Sequence, residues 1–68
     1  MRTLPEGERV VLSHLIKAYP EPLHVEHLDA ATNYARRTTE TYLQRLAARK
    51  LIERPGRGLS QAAKELFS

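Results

Sequence analysis

Arg36, Arg37, Thr38, Thr41, Gln44 and Arg45 crowd into ten residues of the chain, and Arg54 and Arg57 follow within a dozen more. Their chemistry is recognition, not bond-making. A guanidinium suits bidentate donation to guanine, a carboxamide suits adenine, and a threonine methyl packs on thymine. The same side chains also donate to phosphate oxygens. Catalytic chemistry has no comparable grouping. Ser13 and His14 are only neighbours, and there is neither a cysteine nor a glycine-rich phosphate loop. So short a chain can hardly form a deep pocket, and the reading is of a non-enzyme. His24 and His27, with Glu26, Asp29 and His14 nearby, have spacing that could ligate a metal. Such groupings arise commonly by chance, and the expectation is of no metal and no cofactor.

The eight side chains must share one surface to act together, and the charge distribution says that they do. Residues 1–33 carry Arg2, Arg9 and Lys17 against five carboxylates, which sums to −2. Residues 34–57 carry seven Lys and Arg against Glu40 and Glu53, which sums to +5, and residues 58–68 are neutral. A basic surface gathered in one third of the chain is the footprint expected for a polyanion partner. The 68 residues and the 41% apolar content fit one small soluble domain over residues 1–68. Its core must come from Leu, Val, Ile and Ala, because aromatics are few and disulfides are excluded. No apolar run approaches the ~20 residues that span a bilayer. No apolar stretch follows Arg2 as in a signal peptide. The expectation is a cytoplasmic protein without a membrane partner.

The elements that would position these residues follow from local pattern. Thr3-Leu4-Pro5-Glu6 has the form of a capping box. Val11, Leu12, Leu15, Ile16 and Tyr19 then recur at helical spacing, which predicts a first helix over 4–18, stopped by Pro20 and Pro22. Leu23 is extended chain or a very short strand. Val25, Leu28 and Ala31 predict a short second helix, opened by His24. Thr32-Asn33-Tyr34 is the turn, since Asn tolerates left-handed backbone. Residues 35–50 lack Gly and Pro and form a third helix, with Ala35, Thr39, Tyr42, Leu43 and Leu46 inward. Its other face carries Arg36, Arg37, Thr38, Glu40, Thr41, Gln44 and Arg45. Thr38 points out and Thr39 in. Tyr34 and Tyr42 lie at the margin of the core face, where packing is their expected role. Glu40 is unfavourable near phosphates, and its two readings are acceptance from a cytosine amine or pairing with Arg36 or Arg37. Residues 51–54 predict a strand, Pro55-Gly56 a turn, and Arg57-Gly58-Leu59 the returning strand. Ser60 caps a final helix over 61–67, with Ala63, Leu66 and Phe67 inward.

The order is helix, extended stub, helix, turn, helix, basic hairpin, helix: mainly α with a short β-hairpin. Leu28, the run from Tyr34 to Leu46, and Leu51-Ile52-Glu53-Arg54 give it a recognisable form. With Leu59-Ser60-Gln61-Ala62-Ala63 they resemble the winged helix-turn-helix superfamily, in particular its MarR-type regulator branch without the long dimerisation helices. About two thirds of the chain carries the resemblance. Ala35 stands where a Ser or Thr cap is usual, Lys50 where Gly is frequent, and Pro55-Gly56 makes a short wing. The resemblance implies about four helices plus a small wing, and sequence-specific binding of double-stranded DNA. The third helix would enter the major groove, with Arg54 and Arg57 on phosphates. That is the work of a transcriptional or replication regulator from a prokaryote, phage or plasmid. Pairing into a homodimer, through the first helix or Leu66-Phe67, would suit a symmetric site. The alternative is a protein-protein interaction winged-helix module within a larger assembly. Single-stranded nucleic acid fits less well, since few aromatic platforms are available.

Overall fold

The computed structural model describes residues 4–67. It is mainly helical, with a small three-stranded antiparallel sheet. Three helices, α1 (Glu6–Ala18), α2 (Val25–Thr32) and α3 (Arg36–Ala48), are joined by β1 (Leu23–His24), β2 (Ile52–Glu53) and β3 (Leu59–Ala62). The described chain finishes in a 3-10 turn, Lys64–Phe67.

Helix α1 starts at Pro5, whose fixed φ suits the entry to a helix, and Glu6 and Glu8 sit at its positive end. The capping box expected here depends on Thr3, which lies outside the described residues. Val11, Leu12 and Leu15 are buried as their spacing requires, whereas Ile16 lies at the margin of the stripe and is exposed. His24 caps α2: its Nδ1 accepts from the Glu26 backbone N–H at 3.1 Å. Asn33 closes α2 in the left-handed conformation, φ 63°, and so makes the tight turn into α3. Helix α3 has no side-chain cap at Ala35. At its other end Lys50 takes φ 62°. The Leu51 N–H donates to the Leu46 carbonyl and the Lys50 N–H to that of Ala47. This paired closure usually recruits glycine, and Lys50 adopts it with a side chain.

The sheet order is β1-β3-β2, so the strand latest in sequence is central. Leu23 pairs with Ser60 and His24 with Leu59, while Ile52 pairs with Ala62 and Glu53 with Gln61. The returning strand therefore begins at Leu59, and Arg54–Gly58 form the loop before it, with Gly58 at φ 73°. A Cβ at Gly58 would crowd the His24 ring, and the Gly58 carbonyl accepts from the Val25 N–H at 2.8 Å. The hairpin loop is thus tied to the start of α2.

Two expectations are overturned here: Ala35, expected to face inward on α3, is exposed, and the final helix does not form. Residues 61–67 are not a helix capped by Ser60. Gln61 and Ala62 extend β3, because the edge of β2 offers their backbone the partners, Glu53 and Ile52, while β1 holds Leu59 and Ser60 on the other side. Ala63 is buried as expected and its N–H donates to Leu51, but Leu66 and Phe67 are 39% and 48% exposed. Phe67 stacks on Tyr19 with ring centroids 4.1 Å apart.

Val11, Leu12, Leu15, Val25, Leu28, Leu43, Leu46, Ile52 and Ala62 form one core cluster between the helices and the sheet. Ser60 faces into this layer from β3, and its buried hydroxyl has no hydrogen-bond partner among the described residues. A desolvated, unpaired hydroxyl is a net cost. Ser60→Ala is therefore expected to raise stability by about 1 kcal/mol. Urea unfolding checks it, and a loss of stability would contradict it.

Candidate nucleic-acid interface

Helix α3 buries Thr39, Leu43 and Leu46. At ~100° per residue the face directly opposite carries Arg37, Thr41, Gln44 and Ala48. Arg37, Gln44 and Ala48 are exposed, while Thr41 is half-buried and donates its hydroxyl to the Arg37 carbonyl at 3.0 Å. Thr38 is half-buried beside this stripe. Tyr34 and Tyr42 pack edge to face at 5.5 Å against the core, in agreement with a packing role.

The arginines divide into two kinds. Arg36 turns back towards α2, where its Nε donates to Asp29 Oδ2 at 2.7 Å and its Nη2 lies 3.7 Å from Glu26. The Arg36 guanidinium beside Asp29 holds that carboxyl below the usual carboxylate range. Arg45 leans the other way, to Glu8 of α1. Arg54 of the loop donates to Glu40 Oε1 at 3.2 Å, so Glu40 pairs across the fold and not with Arg36 or Arg37, the pairing the sequence offered. Arg37 and Arg57 are exposed and have no ion-pair or hydrogen-bond partner for their side chains among the described residues. Of the eight expected residues, six stand on α3, and the Arg54–Glu40 pair ties the hairpin loop to that helix. Arg37, Thr41 and Gln44 lie on its outer face, Arg36, Arg45 and Arg54 are held by carboxylates, and Arg57 is exposed in the loop.

Two residues escaped the sequence reading. Glu8 is buried under α3, and Arg49 joins Arg45 against it. The signal for Glu8 was present: it precedes Val11 and Leu12 by three and four residues, on the same helical face. The signal for Arg49 was its place one turn after Arg45.

Among the described residues no group of His and carboxylate side chains could hold a metal ion, and no helix is long and apolar enough to cross a membrane. No known protein family, characterised protein or solved structure matches the chain.

Proposed function

We propose that this chain is a winged helix-turn-helix module that binds double-stranded DNA, as a regulator of transcription or replication. In this reading α3 enters the major groove and the β2–β3 loop is a small wing on the flanking phosphates. The observation that carries the reading is the outer stripe of α3, on which the Arg37 and Gln44 side chains have no partner among the described residues. Arg37 and Gln44 stand exposed with Thr41 between them, opposite the buried Leu43 and Leu46, on the most basic part of the chain. Side chains with unmet donors at a convex helix surface fit base edges in a groove about as wide as a helix. The order α1-β1-α2-α3-β2-β3, with β1 paired to β3 of the hairpin, supports the winged form. Glu40 pairs with Arg54, which removes part of the repulsion that a carboxylate would meet near phosphates.

Titration of a labelled random-sequence duplex at several salt concentrations tests the reading. With roughly five phosphates neutralised, log K is expected to fall against log salt with a slope of about −4 to −5. Failure to bind any duplex at low salt would sink the proposal.

A second reading rests on the exposed Ile16, Leu66 and Phe67 at the far end of α1. Such apolar side chains suit a protein partner, or a second copy that would present two α3 helices to a symmetric site. Sedimentation of the chain with and without duplex separates these cases.

A further inference from the structure

We infer that Glu8 is a positioning residue for phosphate contacts made by Arg45 and Arg49, an inference that rests on the DNA reading above. The Glu8 side chain is 1% exposed, yet two largely exposed guanidinium groups reach it. Arg45 Nη1 lies 3.7 Å from Oε2 and Arg49 Nε lies 3.5 Å from Oε1. A buried carboxylate without counter-charge is costly, so it draws both cations to one place. Arg45 and Arg49 are one turn apart, and they therefore stand in a row along the flank of α3 that faces α1.

The contacts are charge contacts, not hydrogen bonds, and Glu8 Oε1 has no hydrogen-bond partner among the described residues. The donors of both forks remain available to a phosphate approaching from solvent. Arg36 differs, because its Nε is spent on a 2.7 Å hydrogen bond to Asp29. The approach of α1 is also stiff. Gly7 precedes Glu8, and a Cβ at Gly7 would overlap the Tyr42 ring, so backbone lies against side chain at this crossing. Glu8 therefore holds two cations on the α3 flank before any anion arrives, and less side-chain freedom is lost on contact.

Charge alone argues the opposite. A carboxylate repels DNA, and its removal should tighten binding. The two accounts differ in sign, which makes Glu8→Gln decisive. The experiment titrates labelled duplex with wild type and Glu8→Gln across a salt series, after thermal melts have shown both folded. Binding by Glu8→Gln is expected to be weaker by about three- to tenfold despite the added positive charge. Its salt slope is expected to be shallower by about 1–2, which a merely structural role would not change. In an Arg45→Gln, Arg49→Gln background the same substitution should leave binding unchanged. Tighter or equal binding by Glu8→Gln with an unaltered slope overturns the inference. If Glu8→Gln does not fold, the triple variant Glu8→Gln, Arg45→Gln, Arg49→Gln takes its place, since it also removes the two like charges that the single variant leaves side by side. A triple variant with the wild-type slope overturns the inference as well. A wild type that binds no duplex removes the DNA reading and this inference together, whereas a binding wild type with an unchanged Glu8→Gln slope overturns the inference alone.

Discussion

Arg37→Ala is expected to lower affinity for the preferred duplex by about 1–3 kcal/mol, which is roughly ten- to a hundredfold, and to relax preference at one base position. The size follows from what Arg37 lacks. Its side chain has no ion-pair partner among the described residues, so the free protein loses nothing when it is truncated. Stability should stay within ~0.5 kcal/mol of wild type. Any loss of binding then belongs to the interface. Arg36→Ala is the informative contrast, because it strands Asp29 and Glu26 and acts partly through the α2–α3 junction. Selection of bound duplexes from a random pool, with wild type and Arg37→Ala in parallel, reads the outcome. Relaxed preference at one position marks a base contact, and a uniform loss marks a phosphate contact. No change in affinity or preference would show that the outer face of α3 is not the interface.

Leu43→Ala is expected to cost about 2–5 kcal/mol. Leu43 is fully buried between the helices, within the single core cluster. Domains of this length have total stabilities on the order of 3–10 kcal/mol, so the substitution removes a large part of the reserve. The same helix carries Arg37, Thr41 and Gln44 outward, and binding should be lost together with the fold. Leu43→Met keeps the volume and should cost under ~1.5 kcal/mol, with binding retained. Chemical unfolding of both variants checks the pair. A Leu43→Ala cost below ~1 kcal/mol would mean that α3 is not anchored as described.

These two residues also show which features could be read from the chain itself. Leu43 and Leu46 declare the inner face of α3 by spacing, and Arg37, Thr41 and Gln44 fall opposite them by the same arithmetic. Asn33 was legible as a left-handed turn, and the prolines after Tyr19 as a stop, because both depend on a residue's own backbone preferences. Helix α2 and the hairpin were legible to within a few residues. The fate of residues 61–67 was not. Ser60, Gln61 and Ala62 carry no strong strand preference, and they join β3 because Leu23-His24 and Ile52-Glu53 flank them in space. The allocation of the arginines was equally hidden. Arg45 and Arg54 looked alike in a charge tally, yet one turns to Glu8 and the other to Glu40, and those pairings depend on how helices cross. Glu8 shows the limit most clearly. A carboxylate on an apolar stripe reads as an interruption until the partner helix supplies its cations.

The central place of β3 has a consequence for how the chain comes together. A nascent chain that stops at residue 58 has all three helices but neither sheet pairing, because β1 and β2 bond only to β3 and not to each other. It also lacks Ala62, which belongs to the core with Val11 and Leu15 of α1. Closure of the sheet therefore rests on β3 alone, which joins β1 and β2 and adds Ala62 to the core beside α1. A chain ending before Ala62 would hold α3 through Leu43 and Leu46 against α1 and α2 alone, without the sheet.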